Sequence, residues 1–143
     1  MIDSQIIIRK AVTDDIQGVY DLVELFSTTF KVDFECFKVT YSENIIDEKS
    51  IILVAMLDKK IIGYCLGFFH STFYANGKVA ILEEIMVMEK FRRKKVGEML
   101  MRDFENWAKS NNISIIGLAT RRAAFFYEAL NYENSALYFR KLI

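Results

Sequence analysis

The sequence predicts a mixed α/β domain, a central and mostly antiparallel sheet with helices on both faces, and three observations carry that prediction. Apolar runs of strand length alternate with stretches of helical spacing in the order βαα, βββ, αβ, αβ. One run, Lys78 to Met88, is apolar on both faces, as expected of a central strand covered on both sides. With 143 residues, 52% of them hydrophobic and 14% aromatic, the chain has the size of one domain with a sizeable core. No proline, low-complexity tract or internal repeat marks a linker, so a single domain over residues 1–143 is expected.

Taken in order, Ile6 to Lys10 is a short apolar run suited to a strand, and Thr13-Asp14-Asp15 supplies an N-cap with acids in the first turn of a helix reaching about Thr28. Phe30, Phe34, Phe37, Tyr41 and Ile45 recur at helical spacing and predict a second helix ending before Lys49. Ser50 to Leu57 and Ile61 to His70 read as a hairpin about Asp58-Lys59-Lys60, and Asn76-Gly77 signals a second turn. In Lys78 to Met88, strict alternation puts Val79, Ile81, Ile85 and Val87 on one face and Ala80, Leu82, Met86 and Met88 on the other.

Val96, Leu100, Phe104 and Trp107 stripe a helix to about Asn111, and Ile113 to Thr120 is again of strand length. A helix from about Arg122 to Leu130 should stop at Asn131, which tolerates the left-handed conformation. The segment Ser135 to Leu142 is suited to a last strand closing the sheet.

Nineteen Lys and Arg balance nineteen Asp and Glu, so no global field draws the protein to nucleic acid or an anionic membrane. The N-terminus lacks a basic segment followed by a long apolar one, and no run is long enough to span a bilayer. Cys36 and Cys65 lie in apolar stretches without metal-type spacing, which predicts two buried thiols, no metal and a cytoplasmic setting. Against this neutral background one cluster stands out: Lys90, Arg92, Arg93, Lys94 and Lys95, next to Gly97, between the central strand and a helix. The carboxyl end of a strand facing a helix N-terminus is where open α/β sheets bind anions, so a phosphate or pyrophosphate site is expected there. A solvated basic turn is the plainer reading of the same residues.

The stretch Val87 to Leu100 resembles the acetyl-CoA-binding motif Q/R-x-x-G-x-G/A of the GNAT superfamily of N-acetyltransferases. Arg92 and Gly97 match its ends, and Lys95 stands in place of its first glycine. Ala123 to Tyr132 resembles the family's A-x-x-F-Y-x-x-x-G-F/Y segment, with Asn131 in place of glycine. With the matching order of elements, the resemblance extends over essentially the whole chain. It implies a GNAT-like fold with a parallel, splayed strand pair in the sheet.

For the chemistry, the resemblance implies that backbone N–H groups from Arg93 through Lys94, Lys95, Val96 and Gly97 to Glu98 cradle the pyrophosphate of acetyl-CoA, with Arg92, Arg93 and Lys94 adding charge. Main-chain groups of Met86, Val87 and Met88 would pair with the pantetheine arm, an N–H near Val87 facing the thioester oxygen. Thr120 and Phe126, with Ala119, are candidates near the sulfur.

An alkylammonium is mostly protonated at neutral pH, so a base is needed. Glu83 and Glu84 sit mid-strand, one to each face by alternation, and Glu83 matches the acid of polyamine-acetylating relatives. Tyr127 matches the family tyrosine that protonates the departing thiolate. Core packing is the competing reading of Tyr127, and bonding to neighbouring strands that of the two acids.

The acceptor pocket is expected from Phe26, Phe30, Phe34, Phe37 and Tyr41 and the loop Ser71 to Lys78, although such a stripe more often packs a core. A small amine is the expected acceptor, with a peptide amine second. A non-catalytic acyl-CoA-sensing module is the competing function, motivated by Lys95 and Asn131. No nucleic-acid or membrane partner is expected, and exposed edges of small sheets predict a homodimer.

Overall fold

The computed structural model describes residues 5–143. Its sheet has five strands in sequence order, β1 (Ile6–Lys10), β2 (Ser50–Leu57), β3 (Lys60–Thr72), β4 (Gly77–Val87) and β5 (Ile113–Leu118). The first three junctions are antiparallel and β4–β5 is parallel. Helices α1 (Ile16–Phe26) and α2 (Phe34–Ile46) cover one face, where Val19, Leu22 and Tyr41 bury against Ile52, Val54 and Tyr64. Helices α3 (Val96–Ser110) and α4 (Ala124–Ala129) cover the other, where Val96, Leu100, Met101, Phe104 and Tyr127 meet Ile62, Cys65, Ala80 and Leu82. The mixed sheet with helices on both faces is as expected.

Local chemistry explains the element ends. Asp33 caps α2, its carboxylate accepting from the Cys36 N–H at 2.9 Å. That cap sets the start of the helix at Phe34, so Phe30, whose spacing had predicted helix, lies in the α1–α2 loop. Asp58 (φ 55) turns the β2–β3 hairpin, and Asn131 (φ 70) ends the α4 region in the left-handed conformation, with the Tyr132 N–H donating to the Tyr127 carbonyl. At the base of α1, Arg9 holds Asp15 through bonds of 2.6 and 2.9 Å, and the guanidinium keeps that carboxyl below its usual range.

Two close approaches fix how the layers meet. A Cβ on Gly67 would fall 2.2 Å from the Phe104 ring, so only glycine at this point of β3 admits that side chain into the core. Where Gly67 faces Leu82, the β3–β4 register shifts: Leu66 pairs with Glu84, and Glu83 is the extra residue of a β-bulge.

The bulge corrects the alternation expected for β4. Leu82 and Ile85 now share the α3 face with Ala80 and Val87, while Glu84 and Met86 lie on the α1–α2 side.

Two further expectations differ. Cys65 is buried but Cys36 is exposed on α2, both as free thiols. The segment Ser135 to Leu142 forms no strand in the single chain. Among the described residues, no helix is long and apolar enough to cross a membrane.

Candidate active site

Strands β4 and β5 run together only as far as the pair Leu82 and Leu118. Beyond it β4 continues to Val87 without a neighbour on that side. The Met88 N–H donates to the Ile62 carbonyl, towards β3, at 2.8 Å. Main-chain groups of a strand alternate sides, so those of Val87 and Ile85 face the gap that β5 has left. The Val87 carbonyl there accepts from Arg92 Nε at 3.1 Å, and Arg92 Nη2 lies 3.7 Å from Met86 Sδ. A free strand edge of this kind offers an extended amide chain the pairing that β5 withholds.

The basic turn stands at the end of that gap. A short 3₁₀ turn, Glu89–Phe91, leads from β4 to Arg92, and α3 begins at Val96. Arg93 and Lys95 both have φ 64, and no side chain caps α3. The first helical bond across this turn runs from the Met99 N–H to the Lys95 carbonyl, which leaves the N–H groups of Val96, Gly97 and Glu98 turned outwards at the positive end of a 15-residue helix. Left-handed residues in a turn followed by free helical N–H groups make an anion-binding concavity. The side chains of Arg92, Arg93, Lys94 and Lys95 are all exposed around it.

Gly97 also has a packing role: the Phe126 ring lies against it, 3.2 Å from where a Cβ would be. Phe126 thereby ties the α4 region to the first turn of α3, and the Thr120 hydroxyl accepts from the Ala123 N–H just before α4.

Lys95 holds a conformation that glycine adopts without strain, at a cost of about 1–2 kcal/mol for an L-residue. Lys95→Gly is therefore expected to stabilise the fold by about 1 kcal/mol once the added freedom of the unfolded chain is subtracted. Urea denaturation checks this, and a lower midpoint at unchanged slope would show that the Lys95 side chain contributes more than its backbone costs.

The proton-handling candidates stand on three different surfaces. Glu83, in the bulge directly after the last β4–β5 pair, is exposed. Glu84 is half-buried on the α1–α2 face, one carboxylate oxygen accepting from the Tyr64 hydroxyl at 2.7 Å. Burial and the Glu84 carboxylate push the Tyr64 phenol far above its ordinary range, so it serves as a fixed donor. Tyr127 is buried on the α3–α4 face, edge-on to Phe126 and Tyr132 with centroids 4.9 and 5.8 Å apart. Burial, with a lesser contribution from Cys65, raises its phenol.

The gap therefore has Glu84 on one face of the sheet, Tyr127 on the other, and Glu83 at the fork. The Tyr64 hydroxyl is the site group that sequence reading missed. Its only signal was an aromatic residue two positions from the Leu66 that pairs with Glu84.

The acceptor residues separate. Phe34 and Phe37 pack against Tyr20 between α1 and α2, Phe37 packs in turn against Tyr41, and the Tyr41 hydroxyl donates to the Val12 carbonyl. Phe26 and Phe30 are exposed at the α1–α2 loop. The loop Ser71 to Lys78 lies at the opposite end of β4, roughly 33 Å along the strand from Val87. No group of three or more His, Cys, Asp or Glu residues among the described residues is placed to hold a metal ion.

Comparison with known proteins fits this geometry. A family model described as the Acetyltransferase (GNAT) family matches residues 19–132. The glucosamine-6-phosphate N-acetyltransferase of Arabidopsis thaliana is similar in structure, with a TM-score of 0.86 at 23% identity, over 96% of this chain and 98% of its own. A transcriptional regulator from Bacillus halodurans C-125 gives 0.87 at 19% identity, over 97% and 100%. The aminoglycoside N-acetyltransferase AAC(6')-Iy, in complex with CoA, gives 0.85 at 18% identity over 99% of both chains. At these identities the likeness shows the fold. No curated protein sequence gives a match.

Proposed function

Since the chain belongs to the GNAT acetyltransferase family, we propose that it moves an acetyl group from acetyl-CoA to a primary amine by direct attack in a ternary complex. One observation carries this reading: the free edge of β4 beyond Leu82 runs straight into the uncapped start of α3. An extended arm ending in a pyrophosphate needs these two features in line.

In this reading the outward N–H groups of Val96, Gly97 and Glu98 hold the pyrophosphate, with Arg92, Arg93, Lys94 and Lys95 supplying charge. Within the stretch Met86 to Met88, the main chain of Val87 faces the gap and aligns the arm. The Val87 N–H faces the thioester oxygen and stabilises the negative charge that builds there as the amine attacks.

The proton balance assigns the remaining roles. An ammonium must lose two protons to become an amide nitrogen. Glu83, free at the fork, takes them directly or through water and passes one to solvent. As the C–N bond forms and the C–S bond breaks, Tyr127 delivers a proton to the thiolate and is reprotonated, through water, by the second proton that Glu83 took, leaving one equivalent released per turnover. Glu84, with one oxygen committed to Tyr64, presents its other oxygen to the cationic body of the acceptor.

A small amine fits an acceptor mouth rimmed by Phe26 and Phe30; a peptide amine is the second class. The two free thiols support a reducing cytoplasm.

A thermal melt with acetyl-CoA, and with ADP as a control for generic phosphate binding, tests the site. Ligand at 100 times its dissociation constant adds about 2.7 kcal/mol, a shift of several degrees for a domain of this size. A shift with acetyl-CoA and little with ADP is expected. No shift at millimolar acetyl-CoA would remove the cofactor and the enzyme with it, while a shift without turnover on any amine would favour an acyl-CoA-sensing module.

A further inference from the structure

The β1–β2 ladder ends before β2 does. Its last bond runs from the Ala11 N–H to the Ile52 carbonyl at 2.9 Å, after which the chain leaves the sheet for α1. Ser50 and Ile51, at the start of β2, therefore have no strand on their outer side. The end of α2 stands on one face of this open edge and the second half of α3 on the other, and between them lies a cleft of about 810 Å³. Small-molecule sites occupy roughly 300–1,000 Å³. β3 separates β2 from β4, so the cleft stands roughly 10 Å across the sheet from β4, at the edge opposite the candidate active site.

We propose that this cleft is a second binding site, and that it takes an organic cation with an apolar body. Its walls supply the apolar contact. Trp107, backed by Phe69 and Phe104 with ring centroids 5.6 and 5.5 Å away, forms one wall. Ile45 and Ile46 at the end of α2 form the other, and Ile46 is 81% exposed.

Hydrogen bonding decides the charge of the ligand. Several donors of the lining are already engaged: the Ser50 hydroxyl donates to the Asn44 carbonyl at 2.7 Å, the Ser110 hydroxyl to the Asn106 carbonyl at 2.9 Å, and the Asn111 amide to the Trp107 carbonyl at 2.9 Å. The Arg9 guanidinium is held by Asp15. The carboxylates are free by comparison. Asp103 is half-buried one helical turn before Trp107, on the same face of α3, and has no hydrogen bond or ion pair among the described residues. Glu48 on the facing wall has none, and Asp47 commits one oxygen to the Lys49 N–H. Lys10 is the one cation of the lining without a side-chain partner among the described residues, against these three acids. A positive ligand meets complementary charge there, and an anion meets repulsion. A carboxylate beside an indole suits an ammonium or guanidinium, which both groups attract.

Trp107 is the one tryptophan of the chain, so its emission reports on this cleft. Butyltrimethylammonium is the probe, because it has no N–H to acetylate. At constant ionic strength it is expected to change the Trp107 emission saturably, with half-saturation on the order of millimolar, while butanol leaves the emission unchanged. Asp103→Asn is expected to raise the half-saturating concentration about fivefold and the exposed Glu48→Gln about twofold, with Glu84→Gln at the native value. No saturable change in the native protein overturns the proposal, as does an equal response to butanol. So does binding unaltered in both Asp103→Asn and Glu48→Gln. Loss in Glu84→Gln with Asp103→Asn unaffected would seat the probe in the acceptor mouth and overturn it too. If Asp103→Asn does not fold, Glu48→Gln decides. Each arm is read without acetyl-CoA, so the outcome is independent of acetyl transfer.

Discussion

Tyr127→Phe is expected to lower kcat by about 10²–10³ while leaving the melting temperature and acetyl-CoA affinity nearly unchanged. The asymmetry follows from where the ring and the hydroxyl sit. The ring packs among Phe126, Tyr132 and the α3 core, and phenylalanine reproduces all of that contact. The hydroxyl, by contrast, has no hydrogen bond to a described residue, and the buried side-chain oxygen without a partner is that of Tyr132, so removing the Tyr127 hydroxyl unpairs nothing inside the fold.

Its pKa, raised by burial, keeps it protonated across the whole working range. That is the state a donor to a sulfur anion needs. A single-turnover assay with a good amine acceptor separates the outcomes. Loss in kcat at constant KM supports the acid role, and unchanged kcat would leave Tyr127 as a packing residue only.

The fold was legible because strand and helix periods differ and most apolar positions follow them. What was not legible has specific causes. In β4 both faces are apolar, so shifting the pattern by one residue still buries every side chain, and periodicity cannot reveal the bulge at Glu83. In the α1–α2 region the phenylalanine spacing continued through Phe30, but the Asp33 cap, a local hydrogen bond, set the boundary. The segment after Tyr132 has strand-like composition but joins no ladder among the described residues, and composition alone cannot show whether a segment meets a strand edge in register.

The turn proposed to hold an anion drew attention in the sequence through its cations and Gly97. The left-handed Lys95 was visible only as a departure from a glycine motif. Tyr64, on the preceding strand, could be joined to Glu84 only through the register of β3 on β4.

That register also separates the two acids. Glu83→Gln is expected to cut kcat/KM by about 10²-fold at pH 7, and Glu84→Gln by no more than about tenfold. A bulge takes Glu83 out of the ladder at the point where β4 leaves β5, and its carboxylate is exposed there. Glu84 alternates with Met86 on the other side of the bulge and is tethered by Tyr64. A tethered carboxylate positions a cation well, but the oxygen that accepts from Tyr64 is already occupied.

The pH profile distinguishes base from binder. An alkylammonium has a pKa near 10.4, so the free amine rises about tenfold per pH unit below that value. A variant without its base should regain activity with that slope as pH rises, and Glu83→Gln is expected to do so. Glu84→Gln should run parallel to the native profile, with its loss in KM. The opposite pattern, recovery at high pH in Glu84→Gln and a parallel profile in Glu83→Gln, would transfer the base to Glu84 and make Tyr64 the residue that orients it.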